Sequence, residues 1–387
     1  MHASIFVGDV FERLAEIPSG SVRTCVTSPP YWGLRDYGTA EWEGGNPDCQ
    51  HTISYADADN LKLVGEKGNG LERVTRGKRD ECLRCGATRR DSQLGLEETP
   101  EQYVENMVRV FREVRRVLAD DGTLWLNLGD SYWAGKGQSG AGGAEKQALR
   151  NERGESINSR HQSMGGKGVT RPLDGKHEII KPKDLVGIPW RVALALQADG
   201  WYLRQDIIWA KPNPMPESVK DRCTKSHEYV FLLTKSARYF FDSDSIKEPV
   251  TQSTVARTKR GLSGEHKNIN GAPGQTPHTI AQPRPYDPDR QAPETRNKRS
   301  VWTVNTKPFR GAHFAVMPEA LVEPCVMAGS AEGDTVLDPF TGSGTVAVVS
   351  LRLGRNFVGT ELNPAYATIA KQRIVSADPM FNTITLQ

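Results

Sequence analysis

The sequence predicts an α/β fold with a doubly wound, mostly parallel sheet. Short apolar segments of strand length alternate with amphipathic helical patterns along much of the chain. Near the C-terminus a strand, a glycine-containing loop, a helix and a second strand follow one another, an order typical of a nucleotide-type site. At 387 residues, the chain is long enough for one large domain with insertions or for two domains.

The predicted elements follow from apolar periodicity. Residues 5–7 and 22–27 read as strands on either side of a short amphipathic helix. Residues 100–118 form the clearest helix, with Thr99 as its N-cap and Gln102 at the capping-box position. Later strands are predicted at 123–128, 202–209, 335–337 and 357–360, with a hairpin at 229–241, and later helices at 185–198, 318–327, 344–353 and 366–374.

Part of the chain is predicted to lie outside the core. Hydrophobic residues make up 37% of it, below the globular average, and Gly (37) and Pro (24) are frequent. Residues 46–96 are polar and irregular, residues 134–183 read as a mobile basic loop, and residues 246–300 are polar and basic without periodicity. The remaining ranges are predicted to form the main domain: 1–45, 97–245 apart from the loop, and 301–387.

Charge is unevenly distributed, although the net charge is only +3. Residues 247–310 contain twelve Lys and Arg against five Asp and Glu, and residues 136–183 contain ten against five. Two basic segments on an acidic body favour a polyanionic partner over ordinary solvated loops. No stretch approaches the roughly 20 apolar residues of a membrane helix, and residues 1–7 do not resemble a signal peptide, so we expect a cytoplasmic protein without a membrane partner.

A loop near the C-terminus has the composition of a ligand-binding turn. Residues 338–344 read Asp-Pro-Phe-Thr-Gly-Ser-Gly, and the two glycines allow positive φ and close approach of the backbone to a ligand. Glu361 ends the next predicted strand, where a carboxylate can accept hydrogen bonds from ribose hydroxyls. The loop therefore favours a ligand with ribose and adenine but no phosphate, such as S-adenosylmethionine (SAM), over a turn without a ligand.

A second segment, residues 27–32, reads Thr-Ser-Pro-Pro-Tyr-Trp. The exocyclic amine of cytosine or adenine is a poor nucleophile, because its lone pair is delocalised into the ring. Two groups could accept hydrogen bonds from this amine: a backbone carbonyl held by two prolines, and the Ser28 hydroxyl. Tyr31 could stack on an extruded base. Positioning would then supply most of the catalysis. Alone, the segment could equally be a proline-rich turn that ends a strand.

The two segments and their order resemble the β-class DNA amino-methyltransferases, which act on N4 of cytosine or N6 of adenine. In that family the catalytic segment comes first, the recognition region follows, and the cofactor loop comes last, as here. The likeness covers roughly residues 4–32, 97–133, 184–250 and 300–376. The chain is similar in particular to phage and prophage members that have a Cys/His insert.

The resemblance implies a Rossmann-like, SAM-dependent methyltransferase with a mostly parallel, seven-stranded sheet. Residues 1–45 would carry the catalytic motif, residues 301–387 would bind SAM, and residues 246–300 would be a small target-recognition region. The implied catalytic residues are Ser28, Pro29, Pro30 and Tyr31. Asp9 would lie near the cofactor adenine and Phe314 near its methionine end. The full predicted set of cofactor-binding residues is Asp9, Phe314, Asp338, Phe340, Thr341, Gly342, Gly344, Thr345, Glu361, Leu362 and Asn363.

The predicted insert contains a candidate zinc site. Cys49 and His51 form one pair, and Cys82 and Cys85 form a Cys-x-x-Cys-Gly knuckle. Four such ligands match a closed tetrahedral structural site, so the zinc would order a segment with few core residues and would not be catalytic. Exposed thiols with an incidental histidine are the alternative.

The sequence therefore predicts a site-specific methyltransferase acting on double-stranded DNA by base flipping. Members with Ser at the position of Ser28 are more often N4-cytosine enzymes, so N4-cytosine ranks above N6-adenine. Amino-methylation of RNA or protein and a catalytically silent DNA-binding module remain open. No nuclease motif is visible, and a homodimer is possible.

Asn127 and Asp130 follow a strand that should end near the cleft, where they either contact the ligands or terminate the strand.

Overall fold

The computed structural model describes the chain with several gaps. The described residues are 1–33, 37, 39–49, 51, 82, 84–133, 177–260, 288–289, 291–306, 316–377 and 383–387. Phe314 and most of the predicted mobile loop therefore lie outside the described residues. The chain divides into two compact units: Met1–Phe240 with Val301–Gln387, and Phe241–Ser300.

The first unit is built on one large sheet. Its strands are β1 (His2–Val7), β2 (Val22–Thr27), β5 (Leu118–Leu128), β6 (Tyr202–Ala210), β7 (His227–Thr234), β10 (Val301–Thr303), β11 (Thr335–Asp338), β12 (Asn356–Glu361) and β13 (Thr383–Leu386). They lie in the order β10-β6-β7-β5-β2-β11-β12-β1-β13. All neighbours are parallel except β7, which runs antiparallel to both β5 and β6. The predicted α/β fold with a mostly parallel sheet is confirmed.

The prediction of seven strands is wrong, because the described sheet has nine. The extra strands, β10 and β13, lie at the two edges and have three and four residues. Such short edge strands lack the apolar run that reveals a buried strand in a sequence. The predicted hairpin at 229–241 is also wrong: both edges of β7 are already paired, with β5 and β6, so residues 239–241 add no strand.

Helices cover the sheet. They are α1 (Val10–Glu16), α2 (Pro100–Val117), α3 (Ile188–Ala198), α5 (Glu319–Gly329), α6 (Thr345–Arg352) and α7 (Pro364–Ala377). The predicted capping box of α2 is present: Gln102 N donates to Thr99 Oγ1, and Thr99 N donates to Gln102 Oε1, both at 3.2 Å. The apolar face of α2 is buried in the core cluster, where Phe111 and Met107 are fully inaccessible. The amphipathic pattern of the sequence therefore decided which face packs.

The carboxyl ends of β1, β2, β11 and β12 meet at one edge of the sheet, because these strands are parallel. From β11 the chain continues to β12 on one side, whereas β2 leads to β5 on the other. Doubly wound sheets bind ligands at such a switch point, outside the carboxyl ends of the strands. The residues at this edge are Asp9, Ser28, Asp338 and Glu361, which follow or end these strands.

Two smaller pieces lie outside this sheet. In the first unit, β3 (Glu41–Glu43) and β4 (Thr88–Arg90) form an antiparallel pair. The second unit contains α4 (Gln252–Arg260) and an antiparallel pair of β8 (Glu248–Pro249) with β9 (Thr295–Arg296). Glu248 accepts hydrogen bonds there from Arg296 at 2.9 Å and Arg299 at 2.7 Å. Among the described residues, no helix is long and apolar enough to cross a membrane.

Candidate functional site

The two segments singled out in the sequence lie side by side. Thr27, the last residue of β2, donates a hydrogen bond from its Oγ1 to Asp338 Oδ1 at 2.6 Å. Both side chains are buried. Because β2 and β11 are neighbouring parallel strands, Ser28 and the glycine loop leave the sheet at the same edge. The tertiary structure thus joins segments that are 311 positions apart in the chain.

The glycine loop is held from within. Asp338 Oδ1 also accepts from Phe340 N at 3.0 Å, and Thr341 Oγ1 donates to the Asp338 carbonyl at 3.1 Å. Burial, with a smaller contribution from the charge of Glu361, raises the pKa of Asp338 to about 7. Gly344 has φ +77°, and a β-carbon there would lie 2.9 Å from Ala370 Cβ. Glycine is therefore required at position 344 by both backbone conformation and packing.

Glu361 is buried beneath this loop. Its Oε2 accepts from Gly342 N at 2.7 Å and its Oε1 from Asn363 N at 2.9 Å. Burial raises the pKa of Glu361. A carboxylate offers about four lone-pair positions, so two backbone donors leave room for two ligand hydroxyls. Glu361 could therefore both order the loop and accept hydrogen bonds from a ribose.

The other predicted cofactor residues surround this carboxylate. Asp9 follows the neighbouring strand β1, and Gly8 N beside it donates to the Glu361 carbonyl at 2.9 Å. The Oδ1 atom of Asp9 caps α1 by accepting from Phe11 N at 2.8 Å. Asn363 Oδ1 accepts from Ala365 N at 2.9 Å at the start of α7, with Leu362 between it and Glu361. The described members of the predicted set lie on the glycine loop, at the start of the helix that follows it and at the ends of β1 and β12, whereas Phe314 lies outside the described residues.

Arg373 is a residue of this site that sequence reasoning missed. From α7 its Nη1 donates to Ser343 O and Ser343 Oγ, both at 2.9 Å, and to Thr345 Oγ1 at 3.0 Å. The guanidinium thereby ties the end of the glycine loop to the last helix. No sequence pattern marks this arginine among others, since its partners lie about 30 positions away.

The Ser-Pro-Pro-Tyr segment lies in a hydrogen-bond network. Asn127 Nδ2 donates to Ser28 Oγ at 3.2 Å and to the Tyr31 hydroxyl at 2.6 Å. The Tyr31 hydroxyl donates to Glu228 Oε2 at 2.8 Å. Burial and the charge of Glu228 raise the pKa of Tyr31 well above its ordinary value, so its hydroxyl stays protonated. The Pro30 carbonyl is engaged by the Tyr103 hydroxyl at 2.8 Å.

Glu228 connects this network to a cation. Its Oε1 forms a half-buried ion pair with Lys211 Nζ, while its Oε2 accepts from both Tyr31 and Asn127. Asn127 Oδ1 is buried and has no hydrogen-bond partner among the described residues. Glu228, near the start of β7, and Lys211, directly after β6, carry no sequence signal of their own, because single charged residues are common at strand ends.

The ring of Tyr31 packs against Gly129, which follows β5. A β-carbon at Gly129 would lie 2.9 Å from Tyr31 Cδ2, too close for any residue other than glycine. Asp130, the other candidate from this strand, has a structural role. Its carboxylate accepts from Gly187 N and Ile188 N and so caps the start of α3.

The Cys/His residues converge on one point. The ligand atoms of Cys49, His51, Cys82 and Cys85 all lie within 4.8 Å of one another. Cys49 Sγ is 3.9 Å from Cys82 Sγ, and Cys85 Sγ is 3.4 Å from His51 Nδ1. Tetrahedral zinc with Zn–S bonds of about 2.3 Å places its sulfurs about 3.8 Å apart. The four side chains therefore have the spacing of a closed zinc site.

The family profile N6_N4_Mtase, described as DNA methylase, matches residues 22–372. The chain belongs to this family of DNA methylases. Among curated relatives, the methylase is 39% identical over 376 residues to the type II methyltransferase M.Cfr9I of Citrobacter freundii, covering 97% of this chain and 89% of the relative. The activity of this chain is therefore the methylation of DNA on an amino group.

Solved structures share the fold of this methylase. The putative DNA modification methylase TTHA0409 from Thermus thermophilus, complexed with SAM, aligns with a TM-score of 0.50 and 20% identity, covering 100% of this chain and 98% of that chain. The PvuII DNA methyltransferase, named as cytosine-N4-specific, aligns with a TM-score of 0.51 and 14% identity over 97% of this chain and 91% of that chain. At these identities the likeness concerns the fold alone.

Proposed function

We propose that this DNA methylase transfers a methyl group from SAM to N4 of a cytosine. The observation that carries the proposal is the Thr27–Asp338 hydrogen bond, because it fixes Ser28 and the glycine loop at one edge of the sheet. Cytosine is proposed ahead of adenine because family members with serine at the position of Ser28 are more often N4-cytosine enzymes. Methylation of N6 of adenine is the second candidate, since that association is imperfect.

The chain's own residues prepare the amine for attack. Ser28 Oγ and the Pro29 carbonyl each accept a hydrogen bond from the target amine. These two hydrogen bonds favour pyramidal geometry at the nitrogen and free its lone pair. The Pro29 carbonyl is assigned this role ahead of the Pro30 carbonyl, because one of the two lone pairs of the Pro30 carbonyl already accepts from Tyr103. Tyr31 stacks on the extruded base, its ring angle fixed by Glu228, Asn127 and Gly129. No covalent nucleophile is needed, and positioning supplies most of the rate.

The residues present fit SAM. Glu361 retains acceptor positions for two ribose hydroxyls, and Asp9 follows the adjacent strand β1. When bound, SAM supplies an electrophilic methyl group on a sulfonium. The residues assigned to its methionine end include Phe314.

A structural zinc ion is proposed at Cys49, His51, Cys82 and Cys85. The sulfur spacing supports it, as does the stacking of Trp42 on His51 with ring centroids 4.7 Å apart. The ion would order the predicted insert, residues 46–96, which includes β4. All four ligand positions are occupied by side chains, so the ion has no open position for catalysis.

Several finer assignments are also proposals. Residues 246–300 are proposed as the target-recognition region and residues 134–183 as a second basic DNA contact, because of their positive charge. A cytoplasmic, DNA-associated location follows from the substrate. The type II relative suggests that a separate restriction nuclease accompanies the methylase. A homodimer is a further proposal, which light scattering would test.

One experiment tests the base and the site together. The methylase is expressed in cells that lack amino-methylation of their own, and genomic DNA is sequenced with detection of modified bases. We expect N4-methylcytosine within one recurring sequence and none in cells expressing Ser28→Ala. N6-methyladenine would support the second candidate, and an unmodified genome would overturn the proposal.

A further inference from the structure

The loop between β6 and β7, residues 211–226, presents an apolar side chain to solvent. Met215 is 84% exposed, the highest fraction among the large apolar side chains of the described residues. A single exposed apolar residue is ordinary on a protein surface. The surroundings of Met215 give this one a specific meaning.

The backbone around Met215 is held rigid. Pro212, Pro214 and Pro216 alternate with Lys211, Asn213 and Met215, so every residue from 211 to 216 is a proline or precedes one. Proline fixes its own φ and restricts the preceding residue to extended conformations. Asn213 Nδ2 donates to Thr306 O at 3.1 Å, and Thr306 N donates to Asn213 Oδ1 at 3.0 Å. Met215 is therefore displayed on a fixed platform.

The rest of the loop is also tied down. Glu217 accepts from Arg222 at 2.6 Å and from Lys225 N at 3.2 Å. The Arg222 guanidinium lies 3.8 Å from the centroid of the Tyr132 ring. Asp221 pairs with Lys183 at 2.6 Å. Both acidic residues of the loop are thus neutralised by cations, and the loop carries four Lys and Arg against two acids, a net positive charge that suits a DNA backbone.

The loop begins at the catalytic network. Lys211 forms an ion pair with Glu228, which accepts a hydrogen bond from the Tyr31 hydroxyl. Met215 follows Lys211 by four residues, so its Cα lies within about 14 Å of the Lys211 Cα even for an extended chain. The apolar side chain of Met215 is therefore presented by the loop that begins at the Lys211–Glu228–Tyr31 network.

Base extrusion leaves a gap in the stack that an apolar side chain can fill. Proteins that unstack duplex DNA commonly insert Met, Leu, Ile or Phe between base steps. We propose that Met215 is an apolar wedge that enters duplex DNA next to the target base and holds the base in its extruded state. This inference rests on the proposed function, because it assumes a flipped base at Ser28 and Tyr31.

The test compares Met215→Ala and Met215→Leu with wild type on two duplex oligonucleotides. Both carry the recognition sequence found by genomic sequencing; one is fully paired, and in the other an abasic site faces the target base. Leu194→Ala on α3, at a side chain 52% exposed, is the matched control for loss of an exposed apolar group. The readout is kcat/KM for methyl transfer from radiolabelled SAM.

We expect Met215→Ala to lower kcat/KM on the paired duplex by about ten- to a hundredfold, as for loss of a buried Met contact. On the abasic duplex, where extrusion is cheap, it should equal wild type. Met215→Leu and Leu194→Ala should match wild type on both. Unchanged activity of Met215→Ala on the paired duplex would overturn the wedge, and so would an equal loss on both duplexes. Inactivity of the wild type on both would instead overturn the proposed function.

Discussion

Thr27 Oγ1 donates to Asp338 Oδ1 at 2.6 Å, and this buried contact joins the end of β2 to the end of β11. One partner precedes the residue assigned to the target amine, and the other begins the loop assigned to the cofactor. This hydrogen bond therefore adds a side-chain link between the two assigned segments to the backbone pairing of β2 with β11. Misplacement by about 1 Å at a reacting centre can cost about a hundredfold in rate.

Thr27→Val tests this link. Valine keeps the shape of threonine but removes the donor, leaving a buried carboxyl with one fewer partner. We expect the free energy of unfolding to fall by about 1–3 kcal/mol in urea titrations. We also expect SAM to bind more weakly by calorimetry. Thr27→Ser, which keeps the hydroxyl, should stay near wild type in SAM affinity; equal weakening in both variants would remove the role of the hydrogen bond.

The raised pKa of Asp338 predicts a pH dependence of stability. Its pKa is about 7 in the folded chain against 3.8 for an ordinary aspartate. Between these values the folded state holds a proton that the unfolded state has lost, so this contribution to stability is complete below pH 4 and declines as pH rises to about 7. We expect the ligand-free protein to lose stability across this interval in urea titrations, by at most about 4 kcal/mol from this group.

Asp338→Asn isolates that contribution, because asparagine does not titrate. The stability difference between variant and wild type should shift in favour of the variant as pH rises from about 4 to about 7 and then stay constant. A difference that does not change with pH would contradict the assignment. Glu361, whose pKa is also raised by burial, is present in both proteins, so only the part of its titration that is coupled to the Asp338 charge contributes to the difference.

Glu228→Gln tests a positioning role in catalysis. The change preserves size but removes the charge that pairs with Lys211 and accepts from Tyr31. Loss of one hydrogen bond to a charged group predicts a fall in kcat of about 10- to 100-fold. SAM affinity and the KM for SAM should not change, since Glu228 lies outside the glycine loop.

Glu113→Gln is the matched control for Glu228→Gln. Glu113 also forms an ion pair, with Arg116 at 2.8 Å, but it does so on the surface of α2. Its kcat should equal that of wild type. If Glu228→Gln raised the KM for SAM as much as it lowered kcat, the effect would be a general disturbance of the site rather than positioning of Tyr31.

Cys85→Ser tests the zinc site. Purified wild-type protein should contain about one zinc per chain, and the variant should lose most of it, because serine replaces one of four ligands. The melting temperature should fall with the metal content. Cys223→Ser removes an exposed cysteine outside the cluster and should change neither quantity. Absence of zinc from the wild type would reject the site.

The sequence indicated more of the fold than of the site's internal contacts. Apolar periodicity gave α2 with its capping box and the strands of the sheet centre, because burial of one face leaves a repeating signal. It missed β10 and β13, which are too short to show such a signal. It also left Asn127 and Asp130 equivalent, whereas the structure places Asn127 in the Ser28–Tyr31 network and Asp130 at the start of α3.

The sequence alone indicated the type of reaction, because segments 27–32 and 338–344 are contiguous motifs whose residue types and order resemble those of DNA amino-methyltransferases. Only the tertiary structure decided how these motifs are held. Thr27 with Asp338, Tyr31 with Glu228, and Arg373 with Ser343 are contacts between residues far apart in the chain. Such pairs form only when strand order and register bring their elements together, and no local pattern encodes that order.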